Sequence, residues 1–180
     1  MRKISRCEDA AAFSFGKAVK QTMWEIRKIS AVTEAELERL TGWMHHWWGK
    51  QEGYEKEAIR CYLIHSMQRE RLPQTFGLFV DENLVGMYQF TQGDLFIRPD
   101  LYPWLANVYV EEAYRKQGYG KHLLESVQEN AKKYLSGGEL YLFTTHIGLY
   151  EKFGWEFMEE LDTFLPEKRI QRLYRLLYTK

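Results

Sequence analysis

The chain has 180 residues and a mass of 21.6 kDa, the size of one domain that buries a core without disulfides or metals. Lys plus Arg and Asp plus Glu number 25 each, so no excess of positive charge draws the chain as a whole to nucleic acid. Apolar residues are 45% and aromatic residues 16% of the sequence. That excludes a disordered chain, and no run of about 18–20 apolar residues is present to span a membrane.

Met1 to Ala12 carries basic residues without the apolar stretch and cleavage site of a secretory signal. Residues 1–22 read as an N-terminal extension, with a short helix over Ala10 to Lys20, and residues 23–180 as a single domain. Cys7 and Cys61 lie far apart and form no C-x-x-C pair, which points to a reducing cytoplasm. Cys61 falls on a predicted helix and reads as a packing residue.

Trp24 to Ser30 is expected to be the first strand. Thr33 and Glu36 have capping-box spacing. Leu37, Leu40, Met44 and Trp47 follow as an apolar stripe, so a helix is predicted from Thr33 to near Gly49. A second helix is predicted from Tyr54 to Arg71, with Ile59, Tyr62, Leu63 and Met67 inward and Leu72-Pro73 as its stop. Thr75 to Val80 and Leu84 to Thr91 read as strands of a hairpin joined by Asp81-Glu82-Asn83. Gln92 to Pro103 reads as a loop, and the apolar run Trp104 to Val110 as a central strand. Lys121 to Ser136 has strong helical periodicity and is expected to end at Gly137-Gly138. Leu140 to Thr144 is a further strand, Ile147 to Phe153 a short helix closed by Gly154, and Trp155 to Met158 strand-like. The tail fits two periods. Ile170, Leu173, Tyr174 and Leu177 share a helix face, whereas Ile170, Arg172, Tyr174, Leu176 and Tyr178 alternate as in a strand.

The segment from Val108 to Lys121 runs from a strand through a basic turn with Gly118 and Gly120 into the long helix. Glycine lets backbone approach a ligand closely, and the first N–H groups of a helix suit a phosphate. Arg115, Lys116 and Lys121 add positive charge. A Walker loop is excluded, because Gly120-Lys121 is followed by His122 and no glycine stands five residues before Gly120. A dinucleotide fingerprint is excluded by the lack of a third glycine. A plain strand-to-helix turn remains the competing reading.

Arg115-x-x-Gly118-x-Gly120 resembles the Q/R-x-x-G-x-G/A motif of the GNAT N-acetyltransferase superfamily. Val108-Tyr109-Val110 followed by Tyr114-Arg115 resembles that family's strand-to-turn approach. Leu149-Tyr150-x-x-x-Gly154-Trp155 resembles its later L-Y-x-x-x-G-F/W segment, at the family's spacing. The resemblance implies an α+β fold. Its sheet is mixed but mostly antiparallel, with six to seven strands, helices on both faces and a splayed parallel central pair, here Trp104 to Val110 and Leu140 to Thr144.

It also implies acetyl-CoA as cosubstrate and no metal. The pyrophosphate would meet the backbone amides of the turn: Arg115, Lys116, Gln117, Gly118, Tyr119, Gly120 and Lys121. The pantetheine arm would run along Val108, Tyr109 and Val110. Tyr150 would be the general acid for the leaving thiolate, and the Val110 amide the oxyanion donor. The carboxylate that some members place near the start of the central strand is replaced here by Trp104 and Leu105. Glu111, Glu112 and His146 are the substitutes considered for the base. Thr144-Thr145-His146 stands where an asparagine is often found.

The implied activity is acetyl transfer to a primary amine of a small molecule by a monomer or homodimer. A protein lysine or N-terminus, or a non-catalytic acyl-CoA-binding domain, is the alternative. Trp43, Trp47, Trp48, Tyr54, Phe96 and Tyr102 are candidates for an aromatic acceptor pocket, and Glu52, Asp94 and Asp100 for binding its positive charge. His45-His46 has no metal-site spacing.

Overall fold

The computed structural model describes residues 22–162 and 170–179. The expected extension and its helix over Ala10 to Lys20 lie outside the described residues, apart from Thr22. The strands are β1 (Trp24–Ile29), β2 (Gln74–Val80), β3 (Asn83–Thr91), β4 (Trp104–Val110), β5 (Glu139–Thr144), β6 (Glu156–Leu161) and β7 (Gln171–Leu177). They form one sheet in the order β1-β2-β3-β4-β5-β7-β6. Every neighbouring pair is antiparallel except β4 and β5. This is the α+β sheet expected from the sequence, with the apolar β4 at its centre.

Among the described residues the α-helices on the two faces are α1 (Glu34–Met44), α2 (Lys50–Glu52), α3 (Lys56–His65) and α4 (Tyr119–Tyr134). Leu37, Leu40, Ile59 and Leu63 of α1 and α3 pack on Ile29, Phe79 and Met87. Leu123, Leu124 and Val127 of α4 pack on Phe76, Leu78 and Tyr88 from the opposite side. The connection from β4 to β5 through α4 is the crossover that a parallel pair requires.

Helix α1 starts where its capping box places it. The Glu36 N–H donates to Thr33 Oγ1 at 3.3 Å, and the Thr33 N–H donates to Glu36 Oε2 at 2.8 Å. It does not end near Gly49. It continues through a π-helical turn, His45–Gly49, into α2 and stops at Gly53, which has φ +76°. Gly49 is a helical residue, and a Cβ there would stand 2.4 Å from Ile59 Cδ1, so the end of that side chain would have to shift. The π turn shifts the helical phase, so Trp47 leaves the buried stripe and is 42% exposed.

Helix α3 is shorter than the sequence suggested. It ends before Ser66, whose N–H and Oγ both donate to the Leu63 carbonyl, at 3.1 and 3.0 Å. The Ser66 carbonyl accepts the Thr75 hydroxyl at 2.9 Å, which ties it to β2 instead of the helix. Tyr62 is not an inward residue; it is partly exposed and faces the cleft described below. Helix α4 ends at Tyr134, before Gly137-Gly138. Leu135 turns extended (φ −104°, ψ 150°) and buries its side chain in the core. The tail is a strand: β7 inserts between β5 and β6, with Leu173, Tyr174 and Leu176 buried. The hairpin turn is Asp81-Glu82, both with positive φ (46° and 66°), as two-residue hairpin turns require.

Candidate active site

The site begins with a disagreement between two strands. β4 and β5 share one paired position, Trp104 with Tyr141, where the Tyr141 N–H donates to the Pro103 carbonyl at 3.0 Å. Beyond that pair they part. A β-bulge on β4 marks the parting: Met87 pairs with Tyr109 and Gln89 with Ala106, so Tyr88 alone faces both Asn107 and Val108. Asn107 takes φ +55°, a left-handed conformation that asparagine tolerates.

A buried amide network holds the bulge. Gln89 Oε1 accepts from Asn107 Nδ2 at 2.6 Å and from the Tyr62 hydroxyl at 3.2 Å. Gln89 Nε2 donates to Ser66 Oγ and Thr75 Oγ1, both at 2.8 Å. One fully buried side chain thus ties α3, β2, β3 and β4 together.

The gap between the strands opens into a cleft of about 870 Å³. Leu105 to Val108 of β4, Leu142 to Thr144 of β5, Tyr150 and the π turn line it. Val110 does not line it. Asn107 and Gln89 were not singled out by sequence reasoning; an asparagine inside the apolar run W-L-A-N-V-Y-V is the signal that was available.

After β4 the chain makes a turn, in which Lys116 has φ +61° and Gly118 φ +91°, and enters α4. The Arg115 N–H is bonded to the Glu112 carbonyl at 3.1 Å, and the Lys121 N–H to the Gly118 carbonyl at 3.0 Å. Tyr119 and Gly120 open the helix, where N–H groups lack intrahelical acceptors and the dipole is positive. A Cβ built on Gly118 or Gly120 meets no protein atom within 4 Å. The turn is an open cradle of amides that fits a pyrophosphate. The Arg115 side chain points back instead: Nε donates to the Val110 carbonyl at 2.8 Å, and the guanidinium lies 5.0 Å from the Trp47 ring and 5.2 Å from that of Tyr109. Lys121 is exposed and pairs with Glu125 at 3.6 Å.

Tyr150 opens a 3₁₀ turn, Tyr150–Phe153, closed by Gly154 at φ +81°. Its ring is buried against Trp155 and Tyr174, at centroid distances of 6.0 and 6.1 Å. Burial pushes its hydroxyl up to about 12, so it keeps its proton throughout the neutral range.

The other candidates divide. Trp47, Trp48, Tyr54, Glu52, Asp94 and His146 line the cleft. Trp43 is a core residue against Tyr109, and the exposed Phe96 and Tyr102 do not line it. Asp100 is held by Arg98 at 2.9 Å, which lowers its carboxyl. Glu111 lies 3.9 Å from Arg39 and Glu112 3.6 Å from Arg115. Water reaches Asp94 through the cleft mouth, yet protein crowds it on its other sides. That crowding, with the nearby Glu52 charge, pushes its carboxyl up to about 7. Among the described residues no group of three or more His, Cys, Asp or Glu is arranged to hold a metal, and no helix is long and apolar enough to cross a membrane.

Solved structures share this architecture. An aminoglycoside 6'-N-acetyltransferase complexed with coenzyme A superposes with a TM-score of 0.67 at 14% identity, over 87% of this chain and 98% of that one. A spermidine N-acetyltransferase chimera from Vibrio cholerae and hSSAT gives 0.64 at 14% identity, over 84% and 94%. A ribosomal-protein alanine N-acetyltransferase from Escherichia coli gives 0.61 at 16% identity, over 88% and 96%. At such identities the likeness is one of fold. No curated protein sequence matches the chain. The profile of the Acetyltransferase (GNAT) family matches residues 35–155, from the first helix through Trp155. The chain therefore belongs to the GNAT family of acetyltransferases.

Proposed function

We propose that this protein is an acetyl-CoA-dependent N-acetyltransferase that acetylates a primary amine of a small molecule. One observation carries the reading: the β4–β5 pair parts after a single position, and β4 runs directly into the open glycine turn that begins α4. A split strand pair leaves a slot for an extended thioester arm, and the amide cradle lies in line with it. The amides of Lys116 to Gly120 hold the pyrophosphate; those of Arg115 and Lys121 are already engaged. Val108, Tyr109 and Val110 offer the strand edge to the arm. Acetyl-CoA supplies the activated acetyl group.

The protein's task is to place the amine, steady the oxyanion and protonate the leaving sulfur. A β4 amide at the bulge donates to the oxyanion. Val108 lines the cleft and Val110 does not, which supports Val108 in place of the expected Val110. Tyr150 hydrogen-bonds the sulfur and donates its proton as the C–S bond breaks, regaining one from solvent. The acceptor nitrogen must be neutral to attack. Of the three bases considered from sequence, His146 alone stands in the cleft wall; Glu111 and Glu112 face arginines elsewhere. The chain works as a monomer or homodimer in a reducing cytoplasm, which the free thiol of Cys61 supports.

The test is thiol release from acetyl-CoA over a panel of primary amines. Turnover is expected with at least one small amine, and Tyr150→Phe lowers kcat about tenfold or more while acetyl-CoA affinity stays within about twofold. Acetyl-CoA bound without turnover on any amine or peptide would make the chain a binding module. Full turnover by Tyr150→Phe would remove the acid role.

A further inference from the structure

Charge is segregated within the site. Among the described residues the cleft walls contain no Lys or Arg, in a chain that has 25 of them, and they contain two carboxylates, Glu52 and Asp94. No hydrogen bond or ion pair joins either carboxylate to another described residue. Burial raises both carboxyls, and the nearby Glu52 charge raises that of Asp94 further. Both carboxylates are open to water at the cleft mouth, crowded by protein on their other sides and without a counterion among the described residues. A ligand cation supplies one. The rings of Trp47, Trp48, Tyr54 and Tyr62 line the same space, and aromatic faces attract ammonium groups.

This positive charge is not the reacting nitrogen. An ammonium held between carboxylates keeps its proton, whereas the attacking amine must lose one. The topology separates the two tasks. Asp94 follows β3 at the closed end of the pair, where Thr91 faces Trp104. Tyr150 follows β5 beyond its open end. A molecule that reacts near Tyr150 and is held near Asp94 needs a spacer between two nitrogens.

We infer that the acceptor is an alkyl diamine or longer polyamine whose non-reacting ammonium is bound by Asp94 and Glu52 within the aromatic wall. The inference rests on the acetyltransferase reading of the cleft. His46, His146 and the tyrosines are the other titratable groups of that wall.

Calorimetric titration at pH 8 with diaminobutane and with butylamine tests the inference without needing turnover. The wild-type protein is expected to bind diaminobutane about tenfold or more tightly than butylamine, a charge-assisted contact's worth of selectivity. Asp94→Asn and Glu52→Gln, both isosteric, are each expected to bring that ratio close to one. Equal binding of the two amines by the wild type, or a ratio unchanged in both variants, overturns the inference. Acetyl-CoA is titrated into the same samples. Diamine selectivity without acetyl-CoA binding would contradict the acetyltransferase reading and uphold the cation site. Acetyl-CoA binding without diamine selectivity would do the reverse.

Discussion

Asp94 shows how one residue's environment sets its chemistry. It has the ordinary carboxyl of any aspartate, yet crowding and Glu52 push it up to about 7. In the unfolded chain it ionises near its usual 3.8. Between these values the native state holds the extra proton, so its contribution to stability falls as pH rises from about 4 to 7 and is then constant. Asp94→Asn removes this penalty. The variant is expected to gain in melting temperature relative to wild type as pH is raised from 5 to 8; a difference that stays flat would mean an unperturbed carboxyl. The residue type was legible as a candidate for cation binding. Its raised carboxyl was not, because that depends on how the fold crowds the residue and then on Glu52, which is 42 positions away in sequence.

Tyr150 was legible through its motif. Asn107 was not, because its left-handed backbone is a property of how β3 pairs with β4 and not of β4 alone.

At the scale of elements, the cleft is kept open by the bulge, and the bulge by Gln89. Gln89→Leu conserves size but leaves Asn107 Nδ2, Ser66 Oγ and Thr75 Oγ1 without their buried partner. A cost of about 2–4 kcal/mol is expected in urea unfolding, from the desolvation of the orphaned groups. A cost under about 0.5 kcal/mol would show the network to be replaceable by water. Helix α4 was legible almost to its ends because its stripe of Leu123, Leu124, Val127 and Ala131 is continuous. The π turn was not, since a single inserted residue leaves no mark in composition. Its consequence is functional: Trp47, which fits both the apolar stripe and the pocket candidates in sequence, leaves the stripe and lies at the cleft. Pro73 marks only the latest point at which α3 could stop, while the capture of Ser66 by β2 ends the helix earlier. The tail, undecided by period, is fixed by the vacancy between β5 and β6 that only a strand fills.

For the whole molecule, zero net charge conceals two opposite ends. In the proposed site Lys116, Lys121 and the amides of the turn would face an anionic ligand, and the cleft, which has no Lys or Arg among the described residues, a cationic one. The family resemblance carried by the two sequence motifs implied the mixed sheet and its split pair, and the helix between β4 and β5 has the length that a parallel crossover needs. Where the split begins and how wide it becomes depend on side chains from α1, α3 and β3, which no local pattern connects.

The central claim is that the turn and the split strands form an acetyl-CoA site, and Gly120→Glu tests it most directly. Gly120 is helical and has no neighbour within 4 Å of its Cβ position, so the substitution adds charge and bulk without straining the backbone; Gly118, at φ +91°, lacks that advantage. Calorimetry with acetyl-CoA is predicted to show one site per wild-type chain and at least about a hundredfold weaker binding by a folded Gly120→Glu, from repulsion and obstruction at the helix N-terminus. Equal affinity in the two proteins would contradict the account.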